Sequence, residues 1–189
     1  MSSQYHIRQA RPEDANALLA IYTYYVLHTA VTFDTVSPTV DDFVRGISSR
    51  LGRYPYLVVE QDNKICGYAY ASPFIGRAAY QWSCEVTIYL DPSERRKGYG
   101  RALYSELEKR LKAMGIVTLY ACIGLPDGDD PYLTTQSAVF HEACGYRRAG
   151  MFPRCGNKFG RWYHMVWMQK RIGNYKTPPD DIQWDKASL

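Results

Sequence analysis

The 189-residue chain lacks most of the marks by which a sequence announces a metal, a membrane or a nucleic-acid partner. Its five cysteines, at 66, 84, 122, 144 and 155, form no C-x-x-C, and no Cys/His spacing reads as zinc. No metal is therefore expected. An odd number of thiols, most of them inside apolar runs, suits buried free cysteines and a reducing, cytoplasmic setting. No apolar run approaches the roughly 18 residues of a membrane span, and the segment from Met1 to His6 has no leader-like apolar core. Basic residues do not gather in long runs. Lys and Arg number 23 against 19 Asp and Glu, a net charge of +4, which argues against nucleic acid and suits an anionic small molecule. Internal repeats and low-complexity tracts are absent. What is there fits one soluble domain with a sizeable core: 46% hydrophobic and 22% charged residues. Seventeen tyrosines are unusual, and point to an aromatic pocket, an interface or a Tyr-rich core.

The most informative stretch runs from Glu85 through Leu90 to Asp91-Pro92, then Arg95-Arg96-Lys97-Gly98-Tyr99-Gly100-Arg101. It reads as a strand, a break, a basic glycine turn and an amphipathic helix carrying Leu103, Leu107, Leu111 and Met114. The first turn of a helix exposes unpaired backbone N–H groups at the positive end of its dipole. Gly98 and Gly100 permit close approach of a ligand to the backbone. Arg95, Arg96, Lys97 and Arg101 add charge, so the turn suits a phosphate or pyrophosphate. The dinucleotide fingerprint fails because Leu103 stands where a third glycine belongs, and no Gly-Lys-Ser/Thr follows for a P-loop. The alternative is a basic turn whose glycines serve only chain reversal.

Periodicity and turn signals give the order βααβββαβαββ, an α/β chain. Strands are expected at 5–10, 56–60, 65–72, 82–90, 116–123, 146–151 and 162–170. Helices are expected from about 11, from 37 to near Gly52, at 98–114 and at 137–144, with Gly145 as C-cap. Gly156 and Gly160 fall in the connection between the last two strands. The domain spans 1–172, and 173–189 reads as a polar tail, disordered or draped on the surface.

Arg95, Gly98 and Gly100 after a strand ending in Asp-Pro resemble the acyl-CoA-binding motif of the GNAT superfamily of N-acetyltransferases. The element order is that of its fold, which implies a mixed central sheet flanked by helices. The resemblance extends from about Ile7 to Lys170 and is closest to the branch that acetylates phosphinothricin, methionine sulfone and methionine sulfoximine. Ile21-Tyr22, Thr32-Phe33, Tyr54-Pro55-Tyr56-Leu57-Val58, Gly76 to Glu85, His141 to Tyr146 and Lys158 to Trp162 carry it. The resemblance implies acetyl-CoA as cosubstrate, a small amine as acceptor, direct transfer without an acyl-enzyme, and a homodimer in which 158–164 completes a partner's pocket. It implies cofactor contacts from Ile88, Tyr89, Leu90 and the 95–101 turn, with a backbone N–H of Tyr89 or Leu90 polarising the thioester. The chain departs from the branch at Thr134, where relatives often carry Asn, and in an acidic insertion, Asp127-Gly128-Asp129-Asp130-Pro131.

Acetyl transfer needs a neutral amine, hence a base. Glu85, amid Trp82, Val86 and Ile88, suits that task if burial raises its pKa. The alternative is a strand Glu paired with Arg. Cys84, its neighbour, faces the other side of a strand. His141 takes the family's leaving-group position and is either the acid that protonates the thiolate or a structural histidine. On the acceptor side, Phe33, Arg77, Ala78, Ala79 and Tyr80 are the candidate walls. Arg77 suits a substrate carboxylate, or is a solvated loop residue. Two other functions use the same cofactor motif: a non-catalytic acyl-CoA-binding regulatory module, and a protein N-terminal or lysine acetyltransferase.

Overall fold

A computed structural model describes residues 5–188; the expectation made for residues 1–4 lies outside them. Seven strands form one sheet in the order β1-β2-β3-β4-β5-β7-β6. They are β1 (His6–Gln9), β2 (Tyr56–Gln61), β3 (Lys64–Pro73), β4 (Ser83–Leu90), β5 (Thr118–Pro126), β6 (Arg147–Lys158) and β7 (Arg161–Arg171). Four helices flank it: α1 (Ala15–His28), α2 (Val40–Arg50), α3 (Tyr99–Met114) and α4 (Gln136–Ala143). The element order is the expected one, with short 3-10 turns added, including Pro12–Asp14 ahead of α1. Thr39 starts α2 with a reciprocal cap: its hydroxyl accepts the Asp42 N–H, and the Asp42 carboxylate accepts the Thr39 N–H at 2.8 Å.

Alternation along β4 divides the core. Cys84 and Val86 face α3, where they join Leu103, Leu107 and Leu111 in the larger cluster. Tyr68 and Tyr70 of β3 pair across the sheet with Tyr89 and Thr87. These residues face α1 and α2, as does Glu85. Much of the tyrosine excess is spent here, with Tyr22, Tyr25 and Tyr68 all packing on Tyr89 at ring separations of 5.0–5.7 Å.

Adjacent strands are antiparallel except β4 and β5, which run parallel and pair only at Ser83–Glu85 against Thr118–Tyr120. Beyond Glu85 the two strands diverge, and the sheet opens at its centre.

Three expectations are corrected. β6 is twice the expected length, and Gly156 lies within it rather than in the connection, which is only Phe159-Gly160. Cys66 and Cys84 are buried, but Cys122 and Cys155 are exposed. Residues 173–188 are not merely polar: Ile182 and Ala187 are buried in the α3 cluster, Trp184 packs edge-on to Tyr54, and the Gln183 N–H bonds Met114 O at 2.9 Å.

Candidate active site

The opening between β4 and β5 is a cavity of about 320 Å³. Glu85, Ile88 and Tyr89 reach it from β4, Cys122 and Gly124 from β5, Phe33 from the α1–α2 loop, Tyr104 from α3 and His141 from α4. A second space of about 200 Å³ follows the end of β4 outward, lined by Tyr25, Leu90, Arg95, Thr134 and Phe140. Val31, Ile88, Tyr89 and Ser137 border both. The two make one channel from the glycine turn to Glu85.

Strand geometry decides which amides face it. Asp91 N–H donates to Cys66 O of β3, and Ala71 N–H turns away from β4 to Pro55 O. Tyr89 and Thr87 therefore sit in the hydrogen-bonded pairs with Tyr68 and Tyr70. Their N–H groups face β3, while those of Ile88 and Leu90 face the opening. Of the two amides expected from the sequence, Leu90 is the one available and Tyr89 is not. The Leu90 carbonyl, on the same side, accepts the Tyr25 hydroxyl at 2.5 Å.

At the channel's outer end, Gly98 is the N-cap of α3 with φ 87°. A side chain there meets no neighbour within 4 Å, so glycine is needed for its left-handed backbone rather than for space. At Gly100 the reason is contact: a Cβ would stand 3.2 Å from the Phe140 ring of α4. The helix's first bond is Ala102 N–H to Gly98 O, which leaves the amides of Tyr99, Gly100 and Arg101 free of helical partners. Arg95 lines the channel, its guanidinium over Tyr25 and Nη2 donating to the Tyr25 hydroxyl at 3.2 Å. Arg96 and Arg101 are exposed. Lys97 is drawn aside, paired with Glu94 at 2.6 Å. Thr134, beside the channel, accepts the Gln136 N–H on its hydroxyl at 3.4 Å.

Glu85 forms no ion pair among the described residues. Burial pushes its carboxyl above the ordinary range, and Arg50 pulls weakly the other way. His141 is buried and fully engaged. Its Nδ1 lies 2.7 Å from the Ser137 carbonyl, which can only accept, so Nδ1 carries the proton. Nε2 then accepts the Tyr104 hydroxyl at 2.8 Å. Burial also holds the ring's pKa below its ordinary value, which favours this neutral form. A neutral His141 has no free proton to give a leaving group. Tyr104, the residue that sequence reasoning missed, lines the cavity beside it. Its signal was a hydroxyl-bearing ring on the apolar stripe of α3.

Of the acceptor set, Phe33 lines the cavity and Arg77, Ala78 and Tyr80 do not. Ala78–Tyr80 form an exposed 3-10 turn, and Ala79 borders a separate cleft beside Trp82 and the C-terminal segment. Tyr80 touches Phe74, which stacks at 4.0 Å on Tyr120, the strand partner of Glu85. The turn is an outer rim, two rings removed from the carboxylate. The acidic insertion instead shapes the interior. Asp130 accepts the N–H groups of Tyr132 and Leu133 and the Tyr163 hydroxyl, at 2.8–3.1 Å. Leu133, so held, packs with Ala30 and Phe33 at the cavity wall. Lys158, expected to serve a partner's pocket, is buried in its own chain with Nζ on Thr32 O at 2.8 Å.

A sheet opened at its centre, with a helix N-terminus at one end and a half-buried carboxylate at the other, is the layout of a group-transfer enzyme. Residues 7–167 match the family model described as acetyltransferase (GNAT) domain. The chain belongs to this family of acetyltransferases. It is 35% identical over 177 residues to the phosphinothricin N-acetyltransferase of Streptomyces viridochromogenes, covering 94% of this chain and 92% of that one. It is 28% identical to the L-methionine sulfoximine/L-methionine sulfone acetyltransferase of Salmonella typhimurium, covering 91% and 97%. The crystal structure of a GNAT superfamily phosphinothricin acetyltransferase from Sinorhizobium meliloti in complex with acetyl-CoA superposes with a TM-score of 0.85, at 32% identity and 96% coverage of both chains.

Proposed function

We propose that the protein transfers an acetyl group from acetyl-CoA to the amine of a small amino acid or analogue, of the phosphinothricin, methionine sulfone or methionine sulfoximine class. The observation that carries this reading is Glu85, without an ion-pair partner among the described residues, in the same cavity as the cleft-facing amide of Ile88 and one step along the channel from that of Leu90. Acetyl-CoA, when bound, supplies an acetyl group activated as a thioester. The chain's residues fit it: the free amides of Tyr99, Gly100 and Arg101 suit its pyrophosphate, with Arg96 and Arg101 adding charge. Ile88, Leu90, Arg95 and Thr134 line the way for its arm.

Glu85 takes a proton from the acceptor ammonium, and burial, by raising its pKa, makes it a stronger base than an exposed carboxylate. The Leu90 N–H stabilises negative charge on the acyl oxygen. Tyr104 presents a hydroxyl to the cavity, and His141 Nε2 fixes it by accepting its hydrogen bond. Phe33, Leu133 and Met165 close the cavity against water, with the 77–80 turn as rim.

A homodimer belongs to the same reading. Its support is the edge strand β6, where Met151 and Phe152 are each 53% exposed, with Trp162 of β7 57% exposed nearby. Light scattering at assay concentration tests it, and a fully active monomer of about 22 kDa refutes it. Five cysteines without a disulfide support a cytoplasmic setting. The transferase domain is taken as 1–172, with 173–189 as an appended strap. The deciding assay is acetyl-CoA-dependent CoA release across free amino acids, sulfones, sulfoximines and phosphinothricin. Faster turnover of peptides or polyamines than of every free amino acid overturns the acceptor class.

A further inference from the structure

A second cavity, of about 210 Å³, lies on the α2 side of the sheet and has no role in the mechanism above. Its walls include Phe43, Tyr56, Tyr68 and Arg50, and it shares Tyr22 and Tyr70 with the Glu85 cavity. Arg50 ends α2, and its guanidinium carbon stands 4.5 Å from the centre of the Tyr70 ring. Nη1 donates to Gly46 O at 2.7 Å. Nε is buried and has no hydrogen-bond partner, and Arg50 makes no ion pair among the described residues. Asp42, the carboxylate on this cavity, is occupied by the Thr39 cap and by Arg45 at 2.5 Å.

A buried guanidinium N–H left unpaired is unfavourable, and calls for an acceptor. Nε itself is enclosed by protein, so the donor open to a ligand is Nη2, which makes no hydrogen bond among the described residues and whose charge suits an oxyanion better than a carbonyl. Tyr22 and Tyr70 line both spaces, so their rings form the wall that this cavity shares with the Glu85 cavity. An amino acid whose amine meets Glu85 would send a side chain of a few carbons past these rings. Arg77, on its exposed loop, does not serve that end.

We propose that Arg50 and this aromatic cavity form the acceptor's side-chain subsite, selecting a short side chain that ends in an oxyanion such as a carboxylate or phosphinate. The inference rests on the amino-acid acetyltransferase reading and specifies its acceptor. Arg50 is then a specificity residue that touches substrate.

The test compares acceptors that share the α-amino acid end and differ at the far end: glutamate and phosphinothricin against glutamine and methionine. Each is assayed with the full-length chain and acetyl-CoA at about pH 9, well above the carboxylate range, so that any change in Glu85 titration drops out. In Arg50→Gln the kcat/KM ratio of oxyanion to neutral acceptors should fall about tenfold or more, carried mainly by KM. Arg50→Lys, which keeps the charge, should restore part of the ratio. A wild-type enzyme that turns over neutral amino acids without preferring a distal oxyanion overturns the subsite and leaves the function standing. So does an Arg50→Gln variant, folded by circular dichroism, that loses all acceptors equally. Failure to acetylate any free amino acid overturns both.

Discussion

Replacing Glu85 by Gln tests catalysis and electrostatics in one variant. Gln keeps the shape and removes both the base and the charge. Loss of a positioned general base lowers kcat by about 10²–10⁴-fold, which is roughly 2.7–5.4 kcal/mol of transition-state stabilisation. The glycine turn and the amides of α3 are untouched, so the KM for acetyl-CoA should hold. Stability should move the other way. Burial raises the Glu85 pKa, so the folded state binds its proton longer than the unfolded chain does. Below the ordinary carboxylate pKa both states hold the proton and the group is neutral in effect. As pH rises through that value and then through the raised folded value, ionisation costs the folded state more than the unfolded one. Glu85→Gln escapes that cost, so it should match wild type in acid and be at least as stable at pH 8. The assays are CoA release against pH and urea unfolding at two pH values. Wild-type kcat/KM for the acceptor should rise with pH through the raised carboxylate pKa, and the variant should lack that limb. Normal turnover removes Glu85 from the chemistry. A loss of stability at pH 8 shows instead that the carboxylate is held by a favourable partner, and overturns the electrostatic argument.

Tyr104→Phe should reduce kcat with little change in either KM, because it removes the hydroxyl beside the cavity and keeps the ring; single-turnover kinetics separates this from product release. His141 has a lowered pKa, so the unfolded chain protonates first, and stability should decline as pH falls below about 6.5; denaturation of His141→Gln across that range should show a flatter acid limb. Gly98→Val should cost about 1–2 kcal/mol from its left-handed backbone, since the site itself has room, and should raise the KM for acetyl-CoA; Gly98→Asn, measured beside it, should be milder. Asp130→Ala should release Tyr132 and Leu133, costing about 0.5–1.5 kcal/mol for each hydrogen bond lost, since these donors are exposed or half-buried, and should raise the acceptor KM more than the cofactor KM.

The cofactor half of this molecule was legible in its sequence because it is contiguous. A strand ending in Asp-Pro, two glycines and an amphipathic helix occupy one stretch of chain, and local physics fixes what the backbone does there. Even so, the two glycines proved different: Gly98 answers to its own dihedral angle, whereas Gly100 answers to Phe140, forty residues away. The acceptor half was legible only in part. Phe33 and Glu85 reach the cavity from separate elements, and Tyr70 and Leu133 join them by tertiary packing that no local pattern announces. The length of β6 was hidden for a different reason. The expected strand stops at Met151, before Pro153 and Gly156, but β6 is the sheet's edge, where proline loses no ladder bond and bulges between Arg148 and Gly150 and between Phe152 and Gly156 absorb the irregularity. The C-terminal segment misled by composition: Ile182, Trp184 and Ala187 are few among polar residues, and only the end of α3 reveals what they cover.

The divergence of β4 from β5 explains why base, amide and hydroxyl can share one space. A closed sheet would pair the Leu90 and Ile88 amides with a neighbouring strand and seal Glu85 on one face, away from Tyr104 on the other. Because parallel pairing stops at Glu85, the carboxylate from the α1–α2 face and the Tyr104–His141 pair from the α3–α4 face meet across the gap. Charge then runs in a fixed order along the channel: a basic turn outside, unpaired amides along β4 and a carboxylate at the end of pairing, with Arg50 off the channel in the neighbouring cavity. An anionic donor enters at the basic end, and an ammonium is drawn to the carboxylate. Arg50 opposes that ammonium unless the acceptor also carries a negative group. The same guanidinium that holds Glu85 nearer its ordinary pKa therefore sets a condition on the substrate. An acceptor that satisfies Arg50 leaves Glu85 more basic, because its bound oxyanion screens the guanidinium's pull. Binding of the right side chain and activation of the base are thereby coupled through one residue.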